Sequence, residues 1–259
     1  MKAGGIKWKE WEAVKCVVGP YALIAGISAG PRILSLSYRD GDNLLYEDHT
    51  GFGVGEWRLY GGHRFTIAPE NADSYYPDNE PCEVIMEDAW VQISARRRSN
   101  GLRFSLTIGE RQDGLAIEHV LRNEGSSTWE GALWAITCVP RSNRLLAACS
   151  TTAIHFWPGT DSRNWKCHNG QMSVESGNFR GKAGWHCPFP ELSAAGPQGK
   201  FTISSPDAST PGSCVDNGSN VEMFVCADFA ELETLSGKLS LVPGGSASHL
   251  QYWRFQSLL

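Results

Sequence analysis

Residues 57–70, Trp57-Arg58-Leu59-Tyr60-Gly61-Gly62-His63-Arg64-Phe65-Thr66-Ile67-Ala68-Pro69-Glu70, gather an imidazole, two guanidinium groups, a carboxylate and the rings of Trp57 and Tyr60 around a Gly-Gly pair. An imidazole and a carboxylate can exchange protons near neutral pH, and a guanidinium can hold a carboxylate or phosphate with two parallel hydrogen bonds. Glycines let a backbone turn at positive φ or approach something closely. The polar loop 71–81 follows, with Tyr75 and Tyr76. Flat aromatic faces beside charged hydrogen-bonding groups suit a sugar ring, whose C–H faces stack while its hydroxyls need donors and acceptors. The stretch reads as the rim of a binding site. The plainer reading is a bend at Gly61-Gly62 and a hydrogen-bonded structural histidine at His63.

The framework that must position these groups is β. Ten tryptophans, 28 glycines and 13 prolines, with almost no helical periodicity, predict an all-β architecture in a single domain spanning 1–259. Strands are expected at 21–25 and 33–38 around Gly30-Pro31, at 43–47 after Asp40-Gly41, and at 83–86 and 89–95. Leu102, Phe104, Leu106 and Ile108 alternate with polar neighbours, as a strand with one buried face does. After Asp113-Gly114, Leu115, Ile117, His119 and Leu121 share a face, so His119 reads as a hydrogen-bonded core residue. Further strands are expected at 129–140, 200–204, 221–226, 231–235 and 246–255. Segment 142–192 reads as the least regular. It carries Trp157, Trp165, Trp185, Lys182 and His186, and is either a second cleft wall or an irregular connection anchored by buried tryptophans.

Composition narrows the function classes. The 23 basic and 28 acidic residues give a net charge of -5 and leave no basic footprint for nucleic acid. Arg96-Arg97-Arg98 reads as a solvated hairpin end. No apolar run is long enough to cross a bilayer, and Met1 to Lys15 makes a poor signal peptide, so the expected location is cytoplasmic unless an export signal has been removed. The eight cysteines, at 16, 82, 138, 149, 167, 187, 214 and 226, include no C-x-x-C pair. They are expected as free thiols, with a disulfide among Cys167, Cys187 and Cys214 as the alternative. His63, Glu70, Asp73 and Asp78 are of the types that ligate a hard cation, but their spacing fits no motif, so neither metal nor cofactor is expected.

The order of these pieces is informative. Gly30-Pro31-Arg32-Ile33-Leu34, Tyr60-Gly61-Gly62-His63-Arg64, His119-Val120-Leu121-Arg122-Asn123-Glu124-Gly125, Trp134-Ala135-Ile136-Thr137 and Glu231-Leu232-Glu233-Thr234-Leu235 before a Pro-Gly-Gly turn resemble the galactose mutarotase-like (aldose 1-epimerase-like) superfamily over nearly the whole chain. Within it, the Tyr-Gly-Gly-His-Arg and Glu-Leu-Glu-Thr-Leu signatures look most like one bacterial branch. The resemblance implies a β-supersandwich of antiparallel sheets with a sugar-binding cleft. It implies a glutamate that takes the proton of the anomeric hydroxyl and a histidine that protonates the ring oxygen. Glu233 matches that glutamate, and His63 lies close to the family's first histidine, although Gly62 precedes it where the family places glycine after. The family's second histidine falls on Trp134-Ala135-Ile136-Thr137, which holds no imidazole.

The expected function is saccharide binding, with epimerase-type acid–base chemistry as the first catalytic option. His63 and Glu233 are the expected catalytic pair, facing each other across one hollow walled by aromatic rings. Trp57, Arg58, Tyr60, Arg64, Glu70, Trp134, Lys182 and Glu231 are the expected substrate-binding residues. A lyase or hydrolase acting on a uronate-containing or other oligosaccharide, with Arg58 or Arg64 on the carboxylate, is a related option. The missing second histidine favours a non-catalytic sugar-binding module instead.

Overall fold

Alternation of side chains along Leu102–Arg111 and Gly114–Asn123 sends Leu102, Phe104, Leu106 and Ile108 to the same interior as Leu115, Ile117, His119 and Leu121. These strands form an antiparallel hairpin, with Arg111 opposite Gly114 and Leu106 opposite His119. They belong to a ten-stranded antiparallel sheet whose middle also holds Ser246–Ser257 and Gly199–Ser204. The computed structural model describes residues 1–9, 11–49, 55–151, 153–175, 177–206 and 209–258.

A second sheet of eleven strands packs against the first. Its centre runs, in spatial order, Arg32–Tyr38, His63–Ala68, Trp129–Pro140, Phe229–Leu235, Val221–Val225 and Gly181–Trp185, all antiparallel. The main core lies between the sheets. Phe65, Ile67, Leu133, Val139, Leu232 and Met223 enter it from the eleven-stranded side, and Phe104, Leu106 and Trp253 from the other. Because successive strand residues point to opposite faces, Arg64, Trp134, Ile136, Glu231, Glu233, Glu222 and Lys182 are left on the face turned away from that core. A separate small cluster of Ala68, Ala132, Trp134, Ile136 and Leu235 forms there.

Two expectations change. Residues 43–47 do not form a strand: Asn43 Oδ1 accepts from the backbone N–H groups of Leu36 and Leu45, and Glu47 makes only an isolated bridge to Gly61. Segment 142–192 is more regular than expected. It holds the strands Arg144–Ala148, Trp165–His168, Gln171–Val174 and Gly181–Trp185, each too short to display a period in sequence. All eight cysteines are free thiols. No helix among the described residues is long and apolar enough to cross a membrane.

Candidate functional site

Strand register assembles the site. Arg64 lies opposite Ile136, Ile136 opposite Glu233, Glu233 opposite Glu222, and Glu222 opposite Gly184. One step along, Cys138 lies opposite Glu231, Glu231 opposite Phe224, and Phe224 opposite Lys182. The two rows cross five neighbouring strands, four of which place charged side chains on the outward face: Arg64, Glu231 and Glu233, Glu222, and Lys182. At Gly184 a β-carbon would stand 3.0 Å from Glu222 Cγ and 3.0 Å from the Trp157 ring, so the missing side chain makes room for both.

Over the rows opens a cavity of about 600 Å³, on the scale of small-molecule sites. Trp57, Glu70 and Tyr75 wall it on one side and residues 157–160 on the other, with Arg64, Trp134, Lys182, Phe224 and Glu231 lining it from the sheet. The first wall is set by a 3₁₀ turn, Ala72–Tyr75. Asn71 caps the turn by accepting from Asp73 N at 2.8 Å, and Ser74 Oγ donates to Ile67 O at 2.9 Å. Ser74 O in turn accepts from Thr66 Oγ1 and from Arg64 Nη1. On the far wall, Lys182 N donates to Thr160 Oγ1 at 2.9 Å, tying the loop to the sheet.

Lys182 is the electrostatic hub. Its ammonium lies 2.6 Å from Glu222 Oε2 and 2.9 Å from Glu233 Oε2, and is flanked by the rings of Trp134 at 4.6 Å and Trp157 at 5.0 Å. Trp134 Nε1 also donates to Glu233 Oε2, at 2.8 Å. Burial pulls the Lys182 pKa down, but the carboxylates of Glu233 and Glu222 outweigh it and hold the ammonium charged well above the ordinary lysine range. Burial pushes Glu222 well above the usual carboxyl range against the opposing pull of Lys182, and Glu233 adds to the rise. Two carboxylates sharing one cation in a dry site do not both ionise easily.

Glu231 differs from both. It is half-buried on the cavity wall, with Cys138 Sγ donating to Oε1 at 3.7 Å. Burial first, and then the Glu233 charge, raise its pKa to about 7, while Arg64 and Lys182 pull the other way. A carboxyl poised near neutrality inside a cleft is suited to general acid–base work.

The structure brings Trp57, Arg64, Glu70, Trp134, Lys182 and Glu231 together on the cavity, and corrects the expectation for the others. His63 does not face Glu233 across a hollow. It is fully buried between the sheets, with Nδ1 2.8 Å from Thr137 Oγ1, Nε2 2.7 Å from His119 Nε2, and its ring edge-on to Trp253. His119 Nδ1 donates to the carbonyl of His249, so its Nε2 accepts from His63 Nε2–H, and Thr137 donates to His63 Nδ1. Burial, reinforced by His249 and Arg32, drops the His63 pKa to about 3, and burial takes His119 well below the histidine range. The glycines that precede it serve this placement: at φ +70 and +64, β-carbons on Gly61 and Gly62 would lie 2.3 Å from Tyr46 O and 2.0 Å from Ile33 O.

Glu233 lies beneath the cavity, fully buried under Trp134 and Lys182. Tyr60 is buried away from it, edge-on to Trp11 and stacked by Arg32, with its hydroxyl donating to Asn79. Arg58 is drawn to Glu56 instead. The four candidate cation ligands do not form a cluster: Asp78 accepts from Arg98 and Asp73 from Asn100, while His63 is buried between the sheets. Sequence reasoning missed Glu222, whose signal is a carboxylate inside the apolar run Val221–Val225, where a buried charge requires a cation. It also missed Arg180 and Phe224 on the cavity wall.

No protein-family model and no curated protein sequence matches the chain. Solved structures do resemble it. One is a candidate aldose 1-epimerase from Escherichia coli K12, with TM-score 0.66 and 13% identity over 99% of this chain and 100% of that one. A galactose mutarotase-like protein from Lactobacillus casei ATCC 334 superposes with TM-score 0.67 and 10% identity over 94% of this chain and 100% of that one. Another galactose mutarotase-like protein, from Clostridium acetobutylicum, gives TM-score 0.57 and 13% identity over 99% of each chain. At such identities the likeness defines the fold: this chain has the galactose mutarotase-like sandwich.

Proposed function

We propose that the protein binds a saccharide in this cavity, against the indoles of Trp57, Trp134 and Trp157, and that Glu231 exchanges protons with it. The observation that carries the reading is the placement of the Glu231 carboxyl on the wall of an indole-lined cavity that Arg64 and Lys182 also line, where burial raises its pKa to about 7. Interconverting anomers requires a proton to leave the anomeric hydroxyl and another to reach the ring oxygen, and a group near half-protonation serves either transfer. Lys182 holds Glu233 and Glu222, and Glu70 accepts from the Tyr75 hydroxyl, which leaves Glu231 as the wall carboxyl assigned to the proton transfer. The main core, shared by the two sheets, supports reading 1–259 as one domain. The structural relatives named as a candidate aldose 1-epimerase and a galactose mutarotase-like protein support the ligand class by fold alone.

A sugar-binding module without turnover is the second reading. It is favoured by the absence of any histidine among the described residues lining the cavity. Saturation-transfer NMR against a panel of aldoses and uronates tests binding, and magnetisation exchange between the anomers of each bound sugar tests turnover. Enzyme-dependent exchange supports the catalytic reading. Binding without exchange leaves the module, and no binding across the panel removes both.

A further inference from the structure

Four arginines among the described residues are buried, Arg32, Arg64, Arg98 and Arg141, and the Nε of each has no partner; what separates them is where each guanidinium lies. Arg98 makes two bonds of 2.9 Å to the Asp78 carboxylate. Arg32 stacks on Tyr60 and donates to Leu59 O. Arg141 is under-satisfied, but its guanidinium stacks on Phe179 outside the cavity.

Arg64 is the buried arginine on the cavity wall. It is 7% exposed, and its single hydrogen bond among the described residues runs from Nη1 to Ser74 O at 3.2 Å. Its Nε is buried with no partner, and no carboxylate among the described residues comes within ion-pair distance; Glu70, on the same wall, accepts from the Tyr75 hydroxyl instead. Trp57, Tyr75 and Trp134 surround the guanidinium at 5.4, 5.8 and 6.0 Å. Ring faces attract a cation but accept none of its in-plane hydrogen bonds. The Nε–Nη2 edge, which binds a carboxylate or phosphate side-on through two parallel N–H groups, therefore carries no protein acceptor.

A buried charge is normally paired, because desolvation without a counter-charge is costly. The neighbouring ammonium of Lys182 is not available for the purpose, being held by Glu222 and Glu233. We infer that the ligand supplies the missing partner: the saccharide taken by this cavity carries an anionic group, a carboxylate or a phosphate, seated on the open edge of Arg64. This rests on the saccharide reading above and narrows it.

Calorimetric titration of the full chain with glucose, galactose, glucuronate, galacturonate, the two hexose 6-phosphates and inorganic phosphate tests it. The expected result is that at least one charged sugar binds about tenfold or more tightly than its neutral parent. Arg64→Met should bring that sugar down to the affinity of the parent, and Arg64→Lys should keep part of the preference, because a point charge remains without the fork. Preference for the uronates or for the phosphates identifies which anion is used. Equal binding of neutral and charged sugars by the wild type overturns this inference and leaves the saccharide reading standing. So does a preference that survives in an Arg64→Met protein whose thermal unfolding is cooperative, since the anion then sits elsewhere. If no sugar binds, or inorganic phosphate binds alone, both readings fall together.

Discussion

His63 and Arg64 are joined by one peptide bond and do opposite things. His63 points between the sheets into a network that runs through His119, Thr137 and the His249 carbonyl, in which the two imidazoles are held neutral by burial. Arg64 points out of the sandwich, into a cavity where one edge of its fork has no protein acceptor. The interior region satisfies its polar groups among themselves, and the cavity region leaves some open. Internally satisfied polar groups specify packing, whereas unsatisfied ones beside a cavity are available to a ligand. The same contrast separates Glu233, bound by Trp134 and Lys182, from Glu231 on the wall.

The contrast is broken most severely at Glu231. Glu231→Gln should lower any anomer-exchange rate by about 10²–10⁴-fold while saccharide affinity is largely retained, as exchange NMR and calorimetry on one sample would reveal. Undiminished exchange in the variant would assign the proton transfer to another group.

Next in size is the hub beneath the cavity. Lys182→Met strands Glu222 and Glu233 without a cation, and should cost about 3–5 kcal/mol in denaturant unfolding, because breaking a buried pair leaves an uncompensated charge. Adding Glu233→Gln to Lys182→Met should recover part of that loss. If the single variant is as stable as the parent, the carboxyls are being neutralised by protonation and Lys182 is not holding the site.

The interior network predicts a stability effect without a functional one. His63→Leu orphans the Thr137 hydroxyl and His119 Nε2 and should cost about 1–3 kcal/mol, with saccharide binding unchanged. The pH dependence has a definite sign. With the folded pKa of His63 depressed from 6.5 to about 3, the unfolded chain binds the extra proton in between. The stability this histidine contributes is therefore complete above about pH 6.5 and lost as pH falls toward about 3, and His119 acts in the same direction. Chemical denaturation at a series of pH values should show a shallower acid limb in His63→Leu than in the parent. An identical limb would mean the imidazole does not titrate with unfolding.

The smallest effect is expected at the cavity wall. Trp157→Ala removes one of the rings flanking Lys182 and should weaken saccharide binding several-fold, by about 1 kcal/mol, with little change in the unfolding midpoint.

How much of this was legible depends on the strand. Along Leu102–Arg111 the alternation of apolar and polar residues displays its buried face in the sequence itself. His63–Ala68 is buried on both faces, so His-Arg-Phe-Thr-Ile-Ala offers no local sign of which residues look inward. The chemistry of His63 and of Arg64 was equally visible, but which of them meets the cavity was not. The shift is a matter of a single position, since slipping the phase of a strand by one residue exchanges its faces. The Gly-Gly pair was legible as a special backbone site, yet what approaches it is the protein's own Tyr46 and Ile33 rather than a ligand.

Composition and periodicity by themselves determined the β class and the inventory of groups capable of acid–base and anion chemistry, because side-chain type and local alternation are properties of adjacent residues. Only the tertiary structure decided that Glu222 and Glu233 share Lys182, that Glu231 lines the cavity while Glu233 lies beneath it, and that Trp57 and Trp157 wall the same cavity. Those relations follow from register between strands far apart in the chain, and register is set by how the two sheets bury their common core.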